Sequence, residues 1–405
     1  VHSEIGRLRR VIVHTPGEEI EKMGPKEAEA DLYNDIIPLS VVQGEHSQLK
    51  TFLSRVCQVV EIEELLEQAL ESEDSRSRFV QLLVDTYQVR HRRDELSDLA
   101  PRDLAAAVIH GLPARHVLLE RYLRGRSFDI PPLPNMYFMR DAAFVYRDAP
   151  AVCAMRFDVR YVESLDNRFV FSHPSDFENF PLLLDGSSRR EPSFNFEGGD
   201  FQVLRKDVVA IGVSERTSAR AVDALARAAA ERFHEPVTFL AICLPIERAT
   251  IHLDMAFTMI DEDACLVYAP VILGGGRCRA IRIDAFPGRD CVLHEEDGVL
   301  PALKSLGLDL KPVLTGGEDS VFQDREQWMS GANSFAFAPG KIIVYSCNSR
   351  TMDALAREGF EIRRAQDFID GCDPFSYKRL VVGFDGVELA RGGGGARCMT
   401  LPIER

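Results

Sequence analysis

Short apolar stretches interrupted by turn residues recur along most of the chain. Each begins after a polar residue, runs through strand-forming residues, passes a charged or Pro-Gly turn and continues as a second apolar stretch. Segments of this kind are typical of β-hairpins. The four copies open at Asp141, Asp200, Asp254 and Asn333. The early stretch LRRVIVHT is expected to supply part of a fifth copy together with the C-terminal strand.

Segments with helical spacing lie between the hairpins. Residues 216–233 (RTSARAVDALARAAAERF) are rich in Ala and Arg, and their apolar positions recur near the helical period. Residues 348–359 have the same character and end at Gly359, a favourable residue at a helix C-terminus. Because hairpin, helix and strand recur about five times, the pattern predicts an α/β protein built as a closed ring of similar units.

The chain between residues 61 and 125 has a different pattern. Its stretches EIEELLEQAL, RFVQLLVDTYQV, PRDLAAAVIHGL and PARHVLLERYLRG show helical spacing, and none shows strand alternation. Pro101 and Gly111 match the start and end of a helix. The predicted domains are therefore an α/β catalytic domain of residues 1–60 and 126–405, and an inserted α-helical bundle of residues 61–125.

The composition is that of an ordinary globular protein, with 45% hydrophobic and 27% charged residues. The net charge of −15 disfavours a nucleic-acid partner, which requires a concentrated basic surface. No run approaches the ~18 apolar residues of a membrane span, and the first residues lack the apolar region of a signal peptide. We therefore expect a cytoplasmic location and no membrane partner. The cysteine count of nine, without a CxxC pair, disfavours disulfides and a Cys-based zinc site.

Three of the hairpin openers are aspartates, which predicts a cluster of carboxylates. If equivalent strand ends converge at one mouth of the ring, then Asp141, Asp200 and Asp254 lie close together. Buried carboxylates repel one another unless a cation neutralises them or some are protonated. His252 shares one strand face with Asp254, and Glu197 precedes Asp200 across two glycines. Taken singly, each aspartate is more typical of a structural role in a turn or at a strand end.

A run of glycines leads to a cysteine near the end of the chain. The segment RGGGGARCMTLP lacks the GK[ST] of a phosphate-binding loop. Its glycines would let a loop close over a ligand and bring the thiol of Cys398 to it, and Arg397 is expected to favour the thiolate. A buried structural cysteine is the alternative interpretation. This set of groups suits a guanidinium substrate. Paired carboxylates match its five N–H donors, a thiolate can attack its carbon, and a histidine can transfer the protons.

The motifs NMYFMRD (135–141), EGGD (197–200), HLD (252–254) and RGGGGARCMTLP resemble those of the arginine deiminase family of guanidino-group-modifying enzymes. The resemblance runs nearly from end to end. It implies a five-bladed, pseudo-symmetric α/β propeller with an inserted helical bundle domain. It also implies hydrolysis of L-arginine to L-citrulline and ammonia through a covalent cysteine thiouronium intermediate. No metal or cofactor is implied; the expected partners are L-arginine, water and further copies of the same chain in a homo-oligomer.

The resemblance also implies roles for individual residues. Cys398 is the expected nucleophile, and His252 is the expected general acid/base with Glu197 as its partner. Asp141 and Asp254 are expected to hold the substrate guanidinium. The expected substrate-binding residues are Asn135, Phe138, Arg160, Asp200, Arg216 and Arg391. One position departs from the pattern, because some family members carry an arginine where this chain has Gly393.

Three alternatives remain open. Another guanidino enzyme, such as an arginine dihydrolase or an amidinotransferase, would use the same cysteine chemistry. A non-catalytic arginine-binding paralogue is disfavoured because both Cys398 and His252 are present. A metalloenzyme that uses the Asp, Glu and His cluster would leave the cysteine on its glycine loop unexplained.

Overall fold

The computed structural model describes residues 1–25, 27–33, 35–115, 119–124, 127–172, 181–188, 191–273 and 277–405. The strands are β1 Arg10–Val13, β2 Gln58–Glu61, β3 Leu112–Pro113, β4 Phe128–Ile130, β5 Ala143–Tyr146, β6 Ala149–Val152, β7 Leu184–Asp185, β8 Phe201–Arg205, β9 Val208–Val213, β10 Val237–Cys243, β11 Phe257–Asp261, β12 Ala264–Val267, β13 Arg279–Ala285, β14 Val292–Glu296, β15 Lys311–Leu314, β16 Phe335–Ala338, β17 Lys341–Tyr345, β18 Glu361–Arg364, β19 Leu380–Phe384 and β20 Leu401–Glu404.

The α-helices are Glu18–Glu21, Leu39–Val56, Ile62–Ala69, Glu73–Tyr87, Arg93–Asp98, Pro101–Ile109, Leu119–Arg124, Met139–Ala142, Tyr161–Phe171, Ala219–Phe233, Ala269–Ile272, Val299–Ser305, Ser320–Trp328, Ser349–Arg357, Ala365–Ile369 and Val387–Arg391. Short 3-10 helices span Arg90–Arg92, Asp158–Arg160, Gly198–Asp200, Arg248–Thr250, Leu253–Met255 and Pro374–Ser376. Among the described residues, no helix has both the length and the apolar character needed to cross a bilayer.

Five of the sheets in the described part of the chain repeat one arrangement. Two strands pair antiparallel as a hairpin, and a third strand pairs parallel with the second strand of that hairpin. These units are β5–β6 with β7, β8–β9 with β10, β11–β12 with β15, and β16–β17 with β19. The fifth is β20–β1 with β2. The four predicted hairpins are confirmed, β1 and β20 pair antiparallel from opposite ends of the chain, and the protein has a mixed α/β fold.

The helix Ala219–Phe233 shows why the connecting segments are helical. The side chain of Ser218 accepts a hydrogen bond from the backbone N–H of Ala221, which caps the first turn. The buried face recurs at helical spacing and consists of Ala221, Val222, Leu225, Ala226, Ala229 and Ala230. This confirms the helix predicted within residues 216–233, and Ser349–Arg357 confirms the one predicted within 348–359.

The predicted helical segment forms four helices between Ile62 and Ile109. Pro101 begins the last of these, and Gly111 follows it with a φ of 78°. Phe79 and Leu104 belong to the same apolar cluster as Phe144 of β5, so these helices share a core with the hairpin β5–β6. Residues 116–118 and 125 of the segment lie outside the described residues. The division into an inserted domain of residues 61–125 and a catalytic domain stays a prediction.

The starts of the hairpins meet in one region. Asp141, Asp200, Asp254 and Asn333 each lie within three residues of the first strand of a hairpin, and Cys398 lies likewise just before β20. The Sγ atom of Cys398 lies 3.1 Å from Nδ2 of Asn333 and 3.7 Å from Oδ2 of Asp254. Equivalent positions of three units therefore meet at this thiol.

Candidate active site

A cavity of about 210 Å³ opens beside the hairpin starts. The predicted site residues that line it are Asn135, Phe138, Asp141, Arg160, Arg216, His252 and Cys398. Glu197 contacts His252, Asp254 contacts Cys398, and Asp200 contacts the backbone N–H of Leu253, next to His252. The structure does not bring Arg391 to the cavity, because its guanidinium pairs with Glu388 and Asp35 at the surface.

The thiol of Cys398 is buried and held by Asn333. The side chain of Cys398 is only 3% exposed. Besides donating from Nδ2 to the sulfur, Asn333 accepts hydrogen bonds through Oδ1 from the backbone N–H groups of Arg397 and Cys398, at 3.0 and 3.2 Å. One amide side chain therefore fixes both the loop and the position of its sulfur.

In the resting protein, ionisation of the Cys398 thiol is strongly disfavoured. Burial raises the pKa of Cys398 well above its ordinary value, and the carboxylates of Asp254 and Asp141 add to the increase. The charge of Arg397 lowers the pKa of Cys398, as expected from the sequence, but burial and the two carboxylates outweigh it. The guanidinium of Arg397 lies 2.8 Å from Oδ2 of Asp254 and also pairs with Glu4.

His252 is held as a cation by two carboxylates. Its Nε2 lies 2.8 Å from Oε2 of Glu197, and its Nδ1 lies 3.7 Å from Oδ1 of Asp141. Burial alone would lower the pKa of His252, but Asp141 and Glu197 raise it to about 9. Burial disfavours the Glu197 carboxylate, yet Arg216 and His252 hold the pKa of Glu197 well below its usual range.

One carboxylate oxygen of Asp141 makes a hydrogen bond, and the other makes none. Its Oδ2 lies 2.5 Å from Nη1 of Arg160, while its Oδ1 is buried without a hydrogen-bond partner. Arg160 is in turn held by Glu163, whose Oε2 lies 2.7 Å from Nη2. A planar guanidinium that enters the cavity would find an unsatisfied carboxylate oxygen in Asp141.

Asp200 holds the backbone next to His252 through a hydrogen bond. Its Oδ1 accepts from the backbone N–H of Leu253 at 2.8 Å, and its Oδ2 accepts from the hydroxyl of Ser214 at 2.7 Å. Neighbouring Gly199 packs against the ring, since a Cβ there would lie 2.5 Å from Nδ1 of His252. Glycine at position 199 therefore allows the backbone of the EGGD motif to approach the ring of His252 closely.

Sequence reasoning missed three residues around the site. Asn333 was recognised as a hairpin opener, and its equivalence to the three aspartates was the signal that it belongs here. Glu163 neutralises Arg160, and Glu4 neutralises Arg397. No local signal marks either glutamate, because each ion pair depends on how the chain folds back on itself.

One group of side chains in the described residues has donor atoms close enough for a metal. The atoms of Asp141, Glu197 and His252 lie within 4.8 Å of one another. Both carboxylates of this group already form ion pairs with arginines: Asp141 pairs with Arg160, and Glu197 lies 3.2 Å from Arg216. The arrangement is thus compatible with a cationic organic substrate that completes the charge balance.

Solved structures share this fold. An ArgZ N-terminal domain covalently bound to a reaction intermediate has a TM-score of 0.55, with 13% identity over 98% of each chain. The same domain bound to product, described as an arginine dihydrolase of Cyanobacteria, has a TM-score of 0.54, with 13% identity over 98% of this chain and 97% of that one. A dimethylarginine dimethylaminohydrolase adduct has a TM-score of 0.50, with 12% identity over 97% of this chain and 99% of that one. This chain therefore shares the mixed α/β fold of these three structures.

Sequence comparisons are more specific. The arginine deiminase family model matches residues 30–405. Arginine deiminases from Limosilactobacillus reuteri and Staphylococcus aureus are each 31% identical to this chain over its whole length. The alignments cover 97% of the first protein and 98% of the second. The chain belongs to the arginine deiminase family, as the sequence motifs indicated.

Proposed function

We propose that this protein hydrolyses L-arginine to L-citrulline and ammonia through a covalent thiouronium intermediate on Cys398. The observation that carries the proposal is a buried thiol with two carboxylates beside it. Oδ2 of Asp254 lies 3.7 Å from the sulfur, and Asp141 lines the same cavity with an Oδ1 that makes no hydrogen bond. These two carboxylates would bind the guanidinium N–H groups and hold the central carbon beside the sulfur.

Substrate binding activates the nucleophile in this mechanism. The carboxylates that keep the resting thiol of Cys398 protonated are the ones that receive the cation. When the guanidinium neutralises Asp141 and Asp254, these carboxylates no longer raise the pKa of Cys398. The pKa of the thiol therefore falls, and its proton leaves to solvent. The thiolate then attacks the guanidinium carbon. His252 gives its proton to the departing nitrogen, and ammonia leaves as the carbon–nitrogen bond breaks.

His252 serves both halves of the reaction. After ammonia leaves, the neutral imidazole takes a proton from water, which attacks the thiouronium carbon. Breakage of the carbon–sulfur bond then releases citrulline and restores the cysteine and the imidazolium. Glu197 keeps the ring in position and stabilises its cation throughout. A solved dimethylarginine dimethylaminohydrolase adduct and an ArgZ covalent intermediate support this covalent chemistry on the shared fold.

We also propose that the five repeating units close into a five-bladed propeller with residues 61–125 as an inserted domain. The antiparallel pairing of β1 with β20 supports closure, because it joins both ends of the chain in one unit. A homo-oligomer and a cytoplasmic location are proposed from the family resemblance. The nine cysteines are all unpaired, which suits a reducing compartment.

The direct test is to incubate the protein with L-arginine in the presence of EDTA and to quantify citrulline, ornithine and ammonia. We expect one citrulline and one ammonia for each arginine consumed. Ornithine with two ammonia would instead identify a dihydrolase, and loss of activity that returns with added metal would support a metal-dependent mechanism. Binding of arginine without any product would identify a binding paralogue.

The protonation state of His252 predicts an acid-skewed activity profile. The imidazolium with a pKa of about 9 holds its proton below that pH and loses it above. In the arginine complex the thiol has already lost its proton, so kcat at saturating arginine should fall as the pH rises through about 9. Burial raises the pKa of Asp254, so activity should begin to fall on acidification above the ordinary aspartate range. Initial rates from pH 4 to pH 10 test both limbs, and a flat profile would contradict them.

A further inference from the structure

His252 lies between two short turns of the backbone. The 3-10 helix Arg248–Thr250 precedes it, and the 3-10 helix Leu253–Met255 follows it. The ring contacts Glu197 through Nε2 at 2.8 Å and Asp141 through Nδ1 at 3.7 Å. Both distances change if the backbone on either side of the ring shifts. A group that ties the two turns together therefore controls where the acid/base lies.

The side chain of Gln327 ties these two turns together. Its Nε2 donates one hydrogen bond to the carbonyl of Ala249 at 2.6 Å and a second one to the carbonyl of Met255. The first acceptor lies three residues before His252, and the second lies three residues after it. Both N–H groups of the amide are thereby used. One fully buried amide spans residues 249–255, which we call the histidine segment.

Gln327 belongs to a helix that is anchored elsewhere in the fold. The helix is Ser320–Trp328, and the side chain of Asp319 caps its first turn. Near its other end, the carboxylate of Glu326 accepts from the backbone N–H and the hydroxyl of Thr351, at 2.7 and 2.6 Å. Because the helix is fixed by contacts outside the histidine segment, Gln327 holds that segment against a rigid element.

The position of Gln327 at the cavity does not make it an acid or a base. Gln327 lines the cavity, and its Oε1 is buried without a hydrogen-bond partner. A primary amide does not titrate in the range of pH at which enzymes work, so it cannot exchange protons with the substrate as an imidazole does. The contacts of Gln327 point instead to an action through His252.

A second side chain holds the histidine segment independently. Oδ1 of Asp200 accepts from the backbone N–H of Leu253 at 2.8 Å. Asp200 thus fixes one donor of the segment, whereas Gln327 fixes two acceptors. Loss of the Gln327 amide would leave the Asp200 contact in place and free the two carbonyls. The segment should then remain folded with a less restrained ring, which predicts a partial loss of function.

We propose that Gln327 is a positioning residue that holds His252 at the distances from Glu197 and Asp141 that its proton transfers require. The inference rests on the proposed function and deepens it. The two carboxylates favour the imidazolium, so a ring that moves away from them loses part of the interaction that keeps its proton. Removing the two donors of Gln327 should therefore lower the pKa of His252 and slow the chemical steps.

The test replaces Gln327 by methionine, which has nearly the same length and no hydrogen-bond donor. The pKa of His252 is measured by NMR titration of protein labelled with ¹⁵N-histidine, in the Cys398→Ala background so that no turnover interferes. The signals of His252 are those missing from His252→Gln. We expect the pKa to fall by about one unit, the smaller end of the effect of a nearby opposite charge.

The kinetic effect of Gln327→Met should appear in kcat. With Cys398 restored, kcat for L-arginine should fall by about 10²-fold, the scale for a displacement of about 1 Å within a catalytic site. The basic limb of kcat should move to lower pH together with the pKa of His252. Arginine affinity in the Cys398→Ala background should change little, because Asp141 and Asp254 keep their ion pairs with arginines.

The matched control is Gln323→Met, one turn earlier in the same helix. Gln323 is also buried and donates from Nε2 to the carbonyl of Gly317 at 2.7 Å, but it does not line the cavity. Gln323→Met should leave kcat, its pH profile and the pKa of His252 unaltered, whatever its effect on thermal stability. Gln327→Asn keeps the amide on a shorter side chain and should lie between the native protein and Gln327→Met.

An unchanged pKa of His252 in Gln327→Met, or an equal loss of kcat in Gln327→Met and Gln323→Met, would overturn the role of Gln327. If Gln327→Met does not fold, Gln327→Asn decides, and native values of both the pKa of His252 and kcat in that variant would overturn it. The NMR titration needs no turnover. It tests the position of His252 separately from citrulline formation by the unaltered protein, whose absence would contradict the proposed function.

Discussion

Replacement of Cys398 by alanine should abolish citrulline formation. The change removes the atom that forms the covalent bond, so turnover should fall by at least about 10⁴-fold, the scale found when a covalent nucleophile is removed. Arginine should still bind, because Asp141, Asp254 and their partners remain. The measurements are citrulline release at saturating arginine and arginine affinity by calorimetry.

Cys372→Ala is the matched control, since this cysteine is exposed and outside the cavity. It should retain full activity. In the unaltered protein, rapid acid quenching followed by mass spectrometry should reveal arginine minus ammonia attached to the peptide that contains Cys398. Substantial turnover by Cys398→Ala would eliminate this residue as the nucleophile, and an adduct on a different cysteine would reassign the role.

Replacement of His252 by glutamine should slow both chemical steps. Glutamine keeps a polar side chain near Glu197 but neither supplies a proton to the leaving ammonia nor takes one from water. Loss of one general acid/base costs about 10²-fold to 10⁴-fold. Because the same group activates water, any thiouronium that forms should persist, and mass spectrometry should detect a larger adduct fraction than in the unaltered protein.

The fall in activity near pH 9 should also disappear in His252→Gln, because the titrating group is gone. His294→Gln provides the control: its imidazole is 45% exposed and lies 3.6 Å from Asp284, away from the cavity. The control should keep both the rate and the pH profile. A His252→Gln protein with normal kcat, or with an unaltered basic limb, would show that another group performs the proton transfers.

Local pattern was enough to predict most elements of the fold. Alternating apolar residues, turn residues and the polar openers each act within a few positions of the chain, so the hairpins β5–β6, β8–β9, β11–β12 and β16–β17 followed from them. The strand-forming stretch near the start of the chain was expected to supply part of a fifth copy with the C-terminal strand, and β1 pairs with β20 accordingly. Parallel third strands such as β10 and β19 required the three-dimensional structure, because no local signal specifies which distant strand will accept their hydrogen bonds.

The sequence by itself determined the chemical identity of the candidate site: Cys398, His252, Glu197, Asp141 and Asp254 stand in short motifs whose order and residue types are readable directly. Tertiary structure decided how their charges are balanced. Glu4 reaches Arg397 across almost the whole chain, Glu163 occupies Arg160, and Asn333 holds the thiol. The physical reason is that burial and electrostatic pairing depend on distance in space, so whether an arginine is free for a substrate or committed to a carboxylate emerges only when the chain has folded.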